Sequence, residues 1–272
     1  MKNAFKIAES IRYSDDKHED VLAQQKDLNM RVSAYHNFGF KVSPEMTPKI
    51  YDNLEKVCNR LDVDIEKINT FVISKSSLNA YCVDFGRDKG CIIALHSKLI
   101  NMMSPGEIQF IIGHEIGHYL LQHNYFDNDP EVTIEESSKS RAGEISADRI
   151  GLLACGDLDS AVHALIRIQS GLKDEFLGFD LVAYLKQMES EKDYRRHLSK
   201  DTHPSNRIRI KALLRFFASD LYRKITNKEE PMEKSDLVDK DGHDIDSQIK
   251  EDLDGYFEEK KKPEGELRRY NE

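Results

Sequence analysis

The spacing of apolar residues along the chain predicts a largely helical body. Residues 45–62 place an apolar side chain at every third or fourth position, which is the repeat of an amphipathic helix. Helical repeats of the same kind follow at about 138–155, 158–170, 178–191 and 204–223. The first forty residues carry a weaker helical pattern, and we expect them to lie across the main body.

Short apolar runs between the first strong helix and position 96 indicate strands. They cover residues 70–73, 78–85 and 91–95, and the glycine-bounded segment 86–90 separates the last two runs. The pattern predicts a small antiparallel sheet that ends in a hairpin.

A helix start is encoded at Ser104-Pro105-Gly106-Glu107. A serine N-cap, a proline at the first helical position and a glutamate three residues after the cap together form a capping box. We expect this helix to run to about Asn124.

Charge and composition exclude several classes of protein. The chain of 272 residues has a formal net charge of −9, so no overall positive field would attract nucleic acid. Residues 228–272 hold 16 acidic and 9 basic side chains, a net of −7, and few apolar ones. We therefore predict a folded body at 1–227 and an acidic, highly charged appendage at 228–272, either thinly helical or partly disordered.

The sequence predicts a cytoplasmic protein without a membrane span. No stretch reaches the roughly 18–20 apolar residues that cross a bilayer, and the first residues lack the apolar segment of a secretory signal. The four cysteines are scattered, so we expect free thiols, although Cys82 and Cys91 can approach each other across the hairpin.

The capped helix contains His114-Glu115-Ile116-Gly117-His118, an H-E-x-x-H pattern. Imidazoles four residues apart lie one above the other on a helix, so both can bind one zinc ion at about 2 Å. The intervening glutamate can reach an activated water molecule without being a ligand. We predict His114 and His118 as ligands and Glu115 as general base.

A catalytic zinc needs a third protein ligand, and an acidic pair follows on the next predicted helix. Glu144 and Asp148 are again four residues apart, among small residues that favour close helix packing. If Glu144 binds the metal, Asp148 faces the same cluster and can accept the N–H of a ligand imidazole. Two solvated carboxylates on a surface helix are the alternative.

The order of these motifs resembles the HtpX-like and CAAX-prenyl-protease-like zinc metallopeptidases of metallopeptidase family forty-eight. The resemblance covers about residues 45–215 and rests on H-E-x-G-H, E-x-x-A-D, Asn79-Ala80-Tyr81 before a hairpin, and Thr202-His203-Pro204 with Arg207-Ile208. It implies an α+β, mostly helical, gluzincin-type zincin fold with one zinc ion per chain. The resemblance implies that the zinc ligands are His114, His118 and Glu144. It also implies that Glu115 is the general base, that Asp148 supports the ligands, and that His203 and Arg207 lie near the reaction centre.

The function expected from these features is a zinc endopeptidase acting on peptide or protein substrates. His203 begins a predicted helix and either donates to the oxyanion, occupies the open metal position in a latent state, or only caps the helix. Arg207 either assists or forms a structural ion pair. The alternative function is a latent or non-catalytic zinc protein docked on a protein partner through its charged tail.

The strand at 78–85 is a candidate substrate site, because an extended peptide can dock on a sheet edge through main-chain hydrogen bonds. We predict Asn79, Ala80 and Tyr81 as substrate-binding residues; an ordinary internal strand is the alternative. The remaining histidines near these motifs lack ligand spacing and are interpreted as surface or packing residues: His36, His96 and His123.

Overall fold

The computed structural model describes residues 2–13, 28–123, 134–178, 180–190, 204–229 and 233–258. Its helices are α1 (Lys2–Ile11), α2 (Leu28–Phe38), α3 (Pro48–Leu61), α4 (Ser97–Met102), α5 (Pro105–Leu121), α6 (Ile134–Cys155), α7 (Leu158–Ser170), α8 (Leu181–Ser190), α9 (Asn206–Phe217), α10 (Asp220–Asn227) and α11 (Ile245–Glu258). Its strands are β1 (Gly39–Lys41), β2 (Ile68–Ile73), β3 (Ala80–Asp84) and β4 (Cys91–His96). The predicted α+β class with a helical majority is confirmed.

Helix α5 begins at the predicted capping box. The Ser104 hydroxyl accepts the Glu107 N–H at 3.4 Å, and the Glu107 carboxylate accepts the Ser104 N–H at 2.6 Å. The helix ends at Leu121, three residues earlier than predicted, because Gln122 takes a left-handed conformation with φ of 57°. This early end shapes the site described below.

The sheet is mixed, whereas the sequence pattern predicted an antiparallel one. Its strand order is β1-β2-β4-β3, with β2 and β4 parallel. After β2 the chain passes to the edge of the sheet, forms β3 there, and returns through the predicted hairpin to place β4 between them. The short strand β1, which no pattern indicated, pairs antiparallel with β2. Strand β3 therefore lies at one edge of the sheet.

Helix α5 occupies the centre of the main core. It is buried from Glu107 to Leu121 and packs against α6, α7, α3 and α1. The inner face of the sheet, including Ile93 of β4, contributes to this core. On the outer face, Phe71 and Ile92 form a second apolar cluster beneath Tyr35 of α2.

The predicted helix at 204–223 is divided in two. Helix α9 ends before Ala218, and a new helix, α10, starts after Ser219, whose hydroxyl accepts the N–H of Tyr222 at 3.0 Å. A serine inside a helical pattern can cap a new helix, and here the cap interrupts the apolar repeat.

Part of the charged C-terminal region packs into the body. Leu237, Ile245 and Ile249 are at most 1% exposed and belong to the main core. Asp246 lies 2.7 Å from the guanidinium of the fully buried Arg149 of α6. The division at residue 228 remains a prediction, but α11 and the body share a core.

Within these described ranges, no helix combines the length and the apolar character needed to cross a membrane.

Candidate metal centre

Close packing of α5 on α6 brings the two predicted motifs together. A Cβ atom at Gly113 would stand 2.1 Å from the Cβ of Ala154, and one at Gly117 would stand 3.0 Å from the Cα of Ala147. Glycine at both positions lets the helix backbones approach, so the side chains beside these contacts meet at short range.

The side chains of His114, His118 and Glu144 converge at a buried point between these helices. The two Nε2 atoms lie 3.0 Å apart, and the Glu144 carboxylate oxygens lie 3.5 Å from each of them. A tetrahedral ion with bonds of 2.0–2.1 Å would place its donors about 3.3–3.4 Å apart. Two imidazoles and a carboxylate at this spacing fit zinc, and the sequence had placed all three residues in one cluster.

Asp148 lies behind the first histidine, as expected for a residue that supports a ligand. Its Oδ1 is 3.0 Å from His114 Nδ1, which leaves Nε2 directed at the cluster. Burial lowers the pKa of His114, but the carboxylates of Glu144 and Asp148 outweigh it and raise the pKa overall. Burial raises the pKa of Asp148, yet Arg209 more than compensates and holds it below its usual range.

Arg209 of α9 is a site residue that the sequence reasoning missed. Its guanidinium donates to both oxygens of Asp148 at 2.7 and 2.6 Å and lies 3.4 Å from Glu144. The sequence did contain an indication of this role, because Arg209 lies on the same helix face as the apolar residues Leu213 and Phe216. An arginine on the apolar side of a helix is buried and needs a partner.

Arg207, the arginine that the sequence analysis favoured, is half-buried on α9, two residues from Arg209. Its predicted role near the reaction centre remains a prediction. His203 lies outside the described residues, so its three alternatives remain open as well.

The carboxylate of Glu115 is 6% exposed beside the cluster and under the edge strand. Burial raises its pKa to about 7, while His114 pulls it down. The backbone N–H of Cys82 in β3 is also close enough to lower this pKa. A glutamate with a pKa near neutrality has the proton affinity required of a general base.

The predicted substrate strand lies next to this glutamate. Two hydrogen bonds at the ends of the β3–β4 pair fix its alternation: the N–H of Phe85 donates to the carbonyl of Gly90, and the N–H of His96 donates to the carbonyl of Asn79. By the alternation of antiparallel pairs, Ala80 and Cys82 turn their N–H and C=O groups away from β4. Asn79 instead uses its carbonyl within the sheet, and the Tyr81 hydroxyl bonds to Tyr35 on the outer face at 3.3 Å.

His123 was interpreted from the sequence as a surface or packing residue, and the structure places it in the interior beside the cluster. It is 4% exposed, and its Nδ1 lies 2.9 Å from Nδ1 of His118. Five residues separate the two histidines, and no simple helical spacing indicates their contact. The local chain reversal after α5 produces it.

Comparison with known proteins agrees with this geometry. A protein from Bacillus subtilis (strain 168), described as uncharacterized metalloprotease YhfN, is 42% identical over 50 residues, or 18% of this chain and 11% of its own length. The plastoglobule-localized metallopeptidase 48, chloroplastic, of Arabidopsis thaliana is 24% identical over 147 residues, or 47% of this chain and 42% of its own. These matches span less than half of either relative.

No solved structure was found to match the chain. The model of one sequence family, described as Peptidase family M48, matches residues 44–128 and 134–216. These two segments cover more than half of the chain and contain the H-E-x-x-H helix, the Glu144 helix and Arg209. The chain therefore belongs to peptidase family M48, a family of metallopeptidases.

Proposed function

We propose that the protein is a zinc endopeptidase that cleaves peptide bonds in peptide or protein substrates. The observation that carries the proposal is the buried cluster of His114, His118 and Glu144 beside the carboxylate of Glu115. The donor set and its spacing suit one zinc ion per chain. When bound there, zinc would supply Lewis acidity that activates water and polarises a carbonyl group.

Glu115 is assigned the proton transfers. Its carboxylate takes a proton from the attacking water and returns it to the leaving amine nitrogen. The burial that raises its pKa to about 7 supports both steps, because the group then gains and loses a proton near neutral pH. Arg209 holds Asp148 in place, and Asp148 in turn orients His114.

The edge of β3 is assigned the binding of an extended substrate. Ala80 and Cys82 turn backbone groups outward at this edge, and the Cys82 N–H lies near Glu115. A peptide that paired with these groups as an added strand would pass the general base with little dependence on its side chains. Of the three predicted substrate-binding residues, Ala80 offers its main chain, Asn79 directly precedes the strand, and Tyr81 lies within it with its hydroxyl near Tyr35 on the outer face.

The test compares the metal content and the peptidase activity of three variants of the full chain. Glu144→Gln should lose zinc, whereas Glu115→Gln should keep one zinc per chain and lose turnover of casein or a peptide library. Glu55→Gln, a change at an exposed glutamate of α3, should leave both unchanged. Equal metal loss at positions 115 and 144 would contradict the assigned roles, and wild-type protein without stoichiometric metal would contradict the proposed function.

The protein partner predicted for the charged tail and the cytoplasmic location both remain predictions. Packing of Leu237, Ile245 and Ile249 in the core gives the first part of the tail a structural role within the chain.

A further inference from the structure

The two ligand histidines make unlike hydrogen bonds with their second ring nitrogens. His114 Nδ1 lies 3.0 Å from a carboxylate oxygen of Asp148, which Arg209 also binds. His118 Nδ1 lies 2.9 Å from another imidazole nitrogen, Nδ1 of His123. Each ligand ring is therefore held from behind, one by an anion and the other by an imidazole.

The end of α5 delivers His123 to this position. Gln122 adopts the left-handed conformation, and the N–H of His123 then donates to the carbonyl oxygen of His118 at 2.9 Å. This reversal is the Schellman arrangement, in which the chain folds back along the last helical turn. In a continuing helix, five residues would advance about 500° and carry the second ring away from the first.

Counting protons on the two rings fixes their tautomers. A neutral imidazole carries one N–H, and a ligand nitrogen must present its lone pair to the metal. With Nε2 of His118 directed at Glu144 and His114, its proton resides on Nδ1. Nδ1 of His118 then donates, so Nδ1 of His123 accepts and the proton of His123 resides on Nε2.

We propose that His123 is a positioning residue that fixes the tautomer and the ring orientation of His118 for metal binding. The proposal rests on the proposed function, because it takes His118 as a ligand. The two rings have centroids 5.2 Å apart and an interplanar angle of 65°, and each is at most 7% exposed. Loss of the imidazole would therefore remove a buried acceptor that lies 2.9 Å from Nδ1 of His118.

The test measures zinc affinity by competition with a chelator, using the full-length protein. His123→Leu keeps the backbone hydrogen bond to His118 and much of the side-chain volume but removes the acceptor. We expect it to bind zinc about 10–100 times more weakly than wild type, the usual effect of removing a partner of a ligand histidine. His123→Asn restores an acceptor oxygen and should recover part of the affinity.

Two controls separate the hydrogen bond from its surroundings. His36→Leu makes the same change at an exposed histidine of α2. Gln122→Gly keeps the left-handed turn without a side chain. Both should retain wild-type affinity. The visible spectrum of the cobalt-substituted protein gives a second readout, and it should change in His123→Leu and return toward wild type in His123→Asn.

Zinc affinity of His123→Leu within twofold of wild type would overturn the proposal, as would an Asn variant as weak as the Leu variant. Should His123→Leu fail to fold, the comparison of His123→Asn with His123→Ala decides by the same criterion. Tight zinc binding by wild type together with an unaffected His123→Leu would contradict the role of His123 but not the proposed function. Absence of zinc from wild type would contradict both the role of His123 and the proposed function.

Discussion

At the scale of single residues, a buried arginine pairs with two carboxylates of the candidate site. Arg209 is 9% exposed and joins α9 to Glu144 and Asp148 of α6. Removing one member of a buried ion pair leaves the other charge uncompensated, which costs about 3–5 kcal/mol. The two neighbouring arginines of α9 should therefore differ sharply in their importance.

We expect Arg209→Ala to lower the free energy of unfolding by about 3 kcal/mol or more, because Asp148 would stay buried without its main counter-charge. Arg207→Ala, at a half-buried position two residues away, should cost less than about 1 kcal/mol. Urea unfolding of the metal-free proteins measures both. Equal costs would contradict this assignment, and loss of turnover in a stable Arg207→Ala would support its predicted role near the reaction centre.

A half-buried carboxyl group in β3, that of Asp84, should make the stability depend on pH. Burial raises the pKa of Asp84 from 3.8 to about 6, and the N–H of Gly86, which donates to it at 2.7 Å, only partly offsets this. Because the folded pKa is raised, the favourable contribution of the protonated group is present below about pH 4 and is lost as the pH rises through about 6.

Asp84→Asn should therefore become more stable relative to wild type between pH 4 and pH 7, by at most about 3 kcal/mol for a shift of this size. The amide oxygen can still accept the Gly86 N–H, so the turn is preserved. Urea unfolding across this range measures the difference, with Asp88→Asn at the exposed tip of the same hairpin as control. A difference that stays constant with pH would show that Asp84 is not responsible.

At the scale of secondary-structure elements, the contact between α5 and α6 sets the distance between the candidate ligands. Gly113 and Gly117 on one helix and Gly151 on the other all lie at points where a Cβ atom would come within about 3 Å of the partner helix. Glycine in a helix interior costs about 1 kcal/mol relative to alanine. The close approach brings His114, His118 and Glu144 within the spacing at which their side chains could share one ion.

Gly113→Ala should destabilise the protein by about 1–3 kcal/mol although it raises helix propensity, because the new methyl would lie 2.1 Å from the Cβ of Ala154. Combining it with Ala154→Gly removes that atom and should restore part of the loss. Thermal unfolding and zinc affinity of the two single variants and the double variant measure the coupling. Additive effects would contradict the direct contact. Gly178→Ala, at a position open to solvent, controls for the substitution itself.

The edge position of β3 leads to a prediction about substrate binding. Ala80 is the first residue of the strand and turns its N–H outward, where proline is tolerated in a sheet. We expect Ala80→Pro to raise KM for peptide substrates while the melting temperature changes little, because only a substrate would use that N–H. Ala80→Ser keeps the N–H and should retain the wild-type KM. An unaltered KM in the proline variant would argue against strand pairing at this edge.

For the whole molecule, Arg149 connects three distant parts of the chain. Its guanidinium, 0% exposed, donates to the carbonyl of Ile11 at the end of α1 and to Asp246 of α11. Ile11 and Asp246 are more than 230 positions apart in the sequence, yet both contact the side chain of Arg149, which follows Asp148 in α6. The body and the start of the charged tail therefore share buried contacts.

Asp246→Ala should therefore lower the free energy of unfolding by about 3–5 kcal/mol, as expected when a buried arginine loses its partner. Asp241→Ala, an equally acidic but exposed position in the same region, should have little effect. Deletion of residues 228–272 should destabilise the whole chain, since it also removes Leu237, Ile245 and Ile249 from the core. A stable, active chain ending at residue 227 would contradict this.

The sequence by itself determined much of the fold and the composition of the site. Helix starts are local, so the capping box at Ser104 predicted α5, and the four-residue spacing of His114 and His118 fixed which side chains share a helix face. Glu144 and Asp148 followed from the same periodicity on the next helix. These features depend on residues within one or two turns of each other, and a linear pattern records such relations.

Tertiary structure decided what depends on contacts between distant segments. The parallel pairing of β2 with β4 depends on where the chain returns to the sheet, and the contact of Arg209 with Asp148 depends on how α9 is rotated against α6. The position of His123 depends on a left-handed residue that is not glycine, so no glycine marked the turn. Alternation and periodicity describe the faces of single elements, whereas these outcomes were fixed by which faces pack together.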